Sequence, residues 1–388
     1  MNAKPWAPVA VAFVVRLAAI LASDRVVADV LRYRRVGAHV LDVSWDPYQA
    51  QHLYPYPPVW VWVEAGCEWL ARHSGLSFAV LVKLPVLAAE LAIVALLVRW
   101  DAQRGGIARP AAWLYALHPV AVLVSGFHGQ FDSIALLMVL LAVRAFDRDR
   151  HDAAALALAC GIALKSFPVL LLPVFLLRVK GNGARARFAA FALLPVAVLL
   201  VPYVAHDKGA VARELIGYGG VADFGWIGAW RGVRFLAEGR LARSEAARWG
   251  ALIPAAKCLF LAAYGVVLVR RRADRDLVAV VLAVFVAFQA FYGALSAQYL
   301  LWVVPLAVLR PDRWLALHTA ATTVALAGFY LFLAPGVLTA AEGALEGAGT
   351  LWVSGTVASL LVSVGWTVRN VAQLGHGTDG EPRRSTTV

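Results

Sequence analysis

The stretch AVLVKLPVLAAELAIVALLV (79–98) decides the fold class. A helix needs roughly 20 mainly apolar residues to cross a hydrocarbon core about 30 Å thick, and this run supplies them. LVAVVLAVFVAFQAFY (277–292) has the same character. Neither run alternates in polarity as a barrel strand does, and in lipid only helices and closed barrels satisfy their backbone groups. Across the chain 61% of residues are hydrophobic and 15% are charged. A soluble domain averages about 45–50% and about 25%. The sequence therefore predicts an all-α, polytopic membrane protein with about 11–13 transmembrane helices.

The net charge of +12 does not point to nucleic acid, because basic residues gather in cytoplasmic loops as a rule of membrane insertion. Such clusters occur at Arg99, Arg104 and Arg109, at Arg144, Arg148 and Arg150, at Arg178, Lys180, Arg185 and Arg187, and at Arg270, Arg271, Arg272 and Arg275. Arg310 and Arg313, then Arg383 and Arg384, continue the series. Placing them all inside puts spans near 6–22, 78–98, 111–127, 131–146, 153–164, 167–178, 187–204, 251–269, 277–292, 299–309, 314–333 and 351–368. The segment 58–72 carries Glu64 and Glu68, is short, and is expected to lie at or dip into the outer interface. The first apolar run is read as an uncleaved helix, since Arg16 interrupts it; a signal peptide is the alternative. Two large loops, about 23–57 and about 205–250, fall outside. Residues 1–369 form one transmembrane domain, and 370–388 form a polar cytoplasmic tail expected to be disordered. Cys67, Cys160 and Cys258 lie far apart in apolar contexts and read as small core residues, without metal spacing or a disulfide framework.

Polar residues then cluster at one end of the predicted spans. They are Asp29 and Tyr33 after the first span, Tyr54 and Tyr56 in DPYQAQHLYPYPP (46–58), and His128, Gln130 and Asp132 in SGFHGQFDSI (125–134). Lys165 and the pair Gln298 and Tyr299 complete the set. Each has an ordinary reading alone. Lys165 could snorkel, Gln298 could join two helices, the tyrosines could belong to an interfacial belt, and His128 could sit in a turn. Asp29 could be an ordinary loop carboxylate, with Asp42 and Asp46 as competitors. Asp132 reads as the cap of the following helix. Together they predict a polar cavity facing outward, since intramembrane ionisable residues are rare and mark functional sites. A transporter usually places its site near the midplane between repeats; one-sided polarity and the absence of an evident repeat favour chemistry at the outer face. DRD at Asp147–Asp149 and again at Asp274–Asp276 falls among cytoplasmic arginines and reads as charge-balanced loop rather than a metal site.

The segments ALHPVAVLVSGFHGQFDSIALLMVLLA (116–142), ALACGIALKSFPVLLLPVFLL (157–177), YPYPPVWVW (54–62) and SAQYLLWVVPL (296–306) resemble the polyprenyl-phosphate-sugar-dependent glycosyltransferases of the C-type fold. Among these the chain is similar to the bacterial polyprenol-phosphate-mannose-dependent α-mannosyltransferases, and to the first mannosyltransferase of GPI-anchor assembly. The resemblance implies a large first outer loop whose acidic residue is the catalytic base, a position Asp29 matches. Members with a tandem acidic pair there depart from this sequence, which has Val30 and Leu31 after Asp29, so no metal or other cofactor is implied. The donor would be a polyprenyl-phosphate sugar and the acceptor a lipid-linked glycan, at the outer face of a bacterial plasma membrane. One carboxylate would take the acceptor proton while the anomeric centre inverts. The leaving phosphate needs cations and donors, for which Lys165, Arg32, Arg34, Arg231 and Arg234 are candidates. His128, Gln130, Tyr33, Tyr56, Gln298 and Tyr299 are candidate donor contacts, and Trp226 and Trp230 could stack on the acceptor. Another polyprenyl-phosphate sugar, such as glucose or a pentose, or a flippase without chemistry, are the alternatives.

Overall fold

A computed structural model describes residues 6–23, 28–50, 54–103, 110–238, 246–333 and 344–372. Helices dominate the described residues, whose only extended pairing is an isolated bridge between Phe224 and Leu295. The main helices are α1 (Ala7–Ala22), α2 (Ala28–Asp42), α3 (Trp60–Ser74), α4 (Phe78–Gln103), the short α5 (Ala111–Ala116), α6 (Asp132–Phe146) and α7 (His151–Leu164). They continue with α8 (Asn182–Val211), α9 (Gly225–Glu238), α10 (Ala246–Arg271), α11 (Leu277–Phe291), α12 (Arg313–Leu333) and α13 (Ala344–Ala372). Five are long and apolar enough to cross a membrane, and six shorter apolar helical stretches accompany them. The chain is a polytopic membrane protein, as its composition predicts.

Exposure shows where lipid lies. The apolar windows of 182–216 and 250–271 are only 22% buried, against 61% for 78–103. The first two present their side chains to the bilayer, while α4 runs through the middle. α11 is apolar all round and almost wholly buried, as a core helix should be. Asp276 starts it by accepting a hydrogen bond from the Ala279 amide. It also pairs with Arg310, and Asp274 pairs with Arg271. These partners agree with reading the second DRD segment as loop.

Three predicted spans are not continuous helices; that near 111–127 breaks after Ala116. Residues 167–176 form a 3₁₀ turn, Phe167–Leu171, followed by a short helix, Leu172–Leu176. Residues 297–307 repeat the pattern with Ala297–Leu301 and Val304–Ala307. Irregular backbone at membrane depth survives where protein encloses it, and Leu300 through Leu309 are buried throughout.

The two predicted outer loops are largely helical. The first holds α2 and a 3₁₀ turn at Pro47–Gln49, and Asp29 sits in the first turn of α2. The second holds the end of α8, a π-helical turn (Ala212–Ile216), and α9. Patterning missed α2 because its polar and basic residues lower its apolar content, although its apolar face is packed on α3 through Val30, Tyr33 and Val36. Glu64 and Glu68 of α3 are buried, Glu68 between Arg34 and Arg72. The cysteines are free. Cys160 and Cys258 are exposed rather than in the core. Arg104, Arg109, Arg383, Arg384 and the tail from 373 onward lie outside the described residues.

Candidate active site

The polar residues of the sequence pattern do converge. After α5 the helix breaks at Leu117 and His118, because Pro119 has no amide to continue it. The carbonyls of Tyr115 and Ala116 at the break accept hydrogen bonds from Arg16 at 3.1 and 2.7 Å. The chain then runs into a π-helical segment, Val122–His128, a form often found at functional sites. Gly129 ends it with φ +83°, and an added Cβ there would stand 2.7 Å from Lys83 Cε. Gly126 contributes differently: its missing side chain lets α1 approach, Ala19 Cβ lying 3.1 Å from where a Cβ would be.

This turn presents His128 and Gln130 to Asp29. Gln130 Nε2 donates to Asp29 Oδ2 at 2.5 Å, and His128 Nε2 stands 3.1 Å from the same oxygen. His128 Nδ1 meets the Tyr330 hydroxyl at 2.9 Å. Gln130 Oε1 accepts from Tyr33 at 3.0 Å and from Lys165 at 3.4 Å. Two donors on its oxygen and an acceptor at its nitrogen fix which way the amide points. Among the described residues Asp29 Oδ1 has just Arg32, at 3.7 Å, and the carboxylate side chain keeps 28% of its surface exposed. Desolvation raises the Asp29 carboxyl. The hydrogen bond and charge of His128, with Arg32 and Lys165 behind, outweigh it and hold the group below the usual carboxylate range.

Asp132 is not a helix cap. The cap position is Phe131, without a side-chain bond. Asp132 is fully buried and paired with Lys165, and its other oxygen accepts from Trp302 Nε1 at 2.8 Å. Position alone suggested a cap; the partner 33 residues away was invisible to local pattern. The competing carboxylates are occupied elsewhere. Asp42 forms a two-pronged pair with Arg72 at 2.7–2.8 Å. Asp46 accepts from the Tyr48 amide and meets His206 at 3.0 Å. Arg34 is committed to Glu68.

Beside the Asp29 cluster lies a cavity of about 260 Å³. Tyr56, Lys165, Gln298 and Tyr299 line it, with Tyr218, Tyr292 and Lys257, which the sequence reading passed over. The Lys165 ammonium rests 4.3 Å above the Phe131 ring and 5.1 Å above that of Tyr56. Arg231 and Trp226 are placed otherwise. Arg231 donates to the Ala222 carbonyl at 2.6 Å and lies 4.0 Å from Asp223. Trp226 donates to the Phe291 carbonyl at 3.3 Å and packs on Gly293 with Ile227 and Ala256. Both contacts tie down the 217–238 segment, and Trp226 is part-buried there. Asp223 is a further carboxylate that feels Asp29. Desolvation pushes it up to about 7, against the pull of Arg231 and Arg32. Among the described residues no group of three or more acidic, His or Cys side chains could hold a metal ion.

Residues 54–292 match the model of glycosyltransferase family 87, more than half of the chain. The chain belongs to glycosyltransferase family 87. The matched span includes His128, Gln130, Asp132 and Lys165 and begins after Asp29. No curated protein matches the chain. The structure is similar to the crystal structure of ArnT from Cupriavidus metallidurans bound to undecaprenyl phosphate, at 16% identity and a TM-score of 0.47, over 92% of this chain and 77% of that one. At that level of likeness nothing about donor or acceptor passes to this family 87 member.

Proposed function

We propose that this glycosyltransferase is an inverting α-mannosyltransferase with the C-type fold. It moves mannose from polyprenyl-phosphate-mannose to a lipid-linked glycan at the outer face of the plasma membrane, within one domain over residues 1–369. The observation that carries the transferase chemistry is the asymmetry of Asp29. His128 and Gln130 hold one carboxylate oxygen, while the other, among the described residues, has only Arg32 at 3.7 Å and lies near a cavity lined by Lys165 and Lys257.

The acceptor hydroxyl delivers its proton to Asp29 Oδ1 as its oxygen attacks the anomeric carbon. The bond from that carbon to the phosphate oxygen breaks on the opposite side, and its electron pair leaves with the phosphate. His128, oriented by Tyr330, and Gln130, oriented by Tyr33 and Lys165, keep the carboxylate aimed and ionised. Lys165 gives the departing phosphate a positive neighbour, and Arg32 stands beside the base where the acceptor arrives. Tyr56, Gln298 and Tyr299 supply polar walls for the sugar. The motif resemblance alone supports mannose. Purified protein supplied with a panel of polyprenyl-phosphate sugars tests this. Transfer from the mannose donor and not from the glucose or pentose donors is the expected result. Transfer from another sugar alone would replace mannose while keeping the chemistry.

A further inference from the structure

Lys257 lies in the apolar run ALIPAAKCLFLAAYG (251–265) and looks like an accident of composition. In the structure it is half-buried and lines the cavity beside Lys165. The membrane-crossing part of its helix begins at Gly250, so at 1.5 Å per residue Lys257 sits about 10 Å inside it. A cation at that depth is costly and seldom idle.

The charges around the cavity are unbalanced. No aspartate or glutamate lines it. Lys165 is neutralised from behind by Asp132. Lys257 has no carboxylate within ion-pair distance among the described residues. The cavity thus offers one cation already matched and one unmatched. Nearby Gln298 is 5% exposed, and its Oε1 is buried without a hydrogen-bond partner. Such an oxygen is expensive to leave unpaired and fits a hydroxyl donor. Apolar neighbours in the same wall, among them Val169, Leu170 and Leu215, suit a hydrocarbon chain.

We infer that Lys257 binds the phosphate of the lipid donor, and of the polyprenyl phosphate released, while Gln298 accepts a hydrogen bond from a sugar hydroxyl. This rests on the glycosyltransferase reading above and adds the residue that balances the phosphate charge. Lys165, already paired with Asp132, keeps its place as a positive neighbour of the phosphate and as a donor to Gln130, and Lys257 adds the uncompensated charge.

Binding of undecaprenyl phosphate and of neutral undecaprenol is measured on the full chain in nanodiscs, for wild type, Lys257→Gln and Lys257→Arg. Charged hydrogen bonds of this kind are worth about tenfold or more in affinity. Lys257→Gln should lose about that much affinity for the phosphate and none for the alcohol. Lys257→Arg should restore most of it, which excludes a folding defect. Equal phosphate binding by wild type and Lys257→Gln overturns the inference and leaves Lys257 as a snorkelling lysine, with the transferase reading intact. A wild-type protein that does not prefer the phosphate over the alcohol overturns both.

Discussion

Two buried polar networks sit within the same few helices, and their difference separates scaffold from site. The first joins Arg16 of α1 to Glu90 of α4. Glu90 accepts from Arg16 Nε at 2.8 Å, from Tyr115 at 3.0 Å and from Ser125 at 2.7 Å. Arg16 spends its remaining donors on the carbonyls at the α5 break. Both side chains are essentially sealed, at 1% and 0% exposure. The second network, Asp29 with His128, Gln130, Tyr33 and Lys165, is less sealed: the Asp29 side chain keeps 28% of its surface exposed, and Lys165 lines the cavity. A closed network can do nothing except hold its elements in register. An open one has valences to offer a ligand. Ser125 and His128 lie on the same π-helical turn, so the closed network positions the open one.

Asp29→Asn puts the comparison at greatest risk. It removes the proton acceptor while keeping the Gln130 contact. General-base removal costs about 10²–10⁴-fold in rate, so transfer should fall by that much with donor binding and thermal stability preserved. Full transfer by Asp29→Asn would move the base elsewhere and make the open network structural. Next comes Glu90→Ala, which leaves Arg16 charged and unpaired in the core. Breaking one partner of such a pair costs about 3–5 kcal/mol. The expected outcome is a large fall in melting temperature. An unchanged melting temperature would show that the closed network is not the scaffold.

Much of this was readable in the sequence. The runs at 79–98 and 277–292 announced spanning helices through length and composition, which are local properties. His128, Gln130, Lys165 and Asp29 stood out because a polar group at the edge of lipid needs a reason, and the structure brings all four together. What stayed hidden was pairing at a distance. Asp132 looked like a cap because its partner Lys165 is near only in space. Tyr330 lies 202 residues from the histidine it meets. α2 escaped notice because its polar face lowers the apolar signal. Lys257 could have been found: a lone lysine in an apolar run carries the same argument that singled out Lys165.

The finest test of the difference between the two networks is their response to pH, since only the open one exposes groups that can titrate against a ligand. The Asp29 carboxyl is held below its ordinary value, so the base remains ionised on mild acidification. Activity is lost only as pH falls through that depressed value, below the usual carboxylate range. Asp223 moves the other way. With its carboxyl pushed up to about 7, it is neutral below that pH and gains a negative charge above it. That charge acts on Asp29 through space rather than from the cavity wall, and a screened unit-charge repulsion of an anionic donor is worth about 1 kcal/mol or less, roughly two- to fivefold. For the wild type, kcat/KM for the phosphate-linked donor should therefore decline by that factor as pH rises through about 7. Asp223→Asn, uncharged throughout, should remove the decline and leave the acid limb set by Asp29 where it was. If the decline persists in Asp223→Asn, Asp223 is merely part of the loop that Arg231 and Trp352 tie down, and it belongs with the closed network rather than the open one.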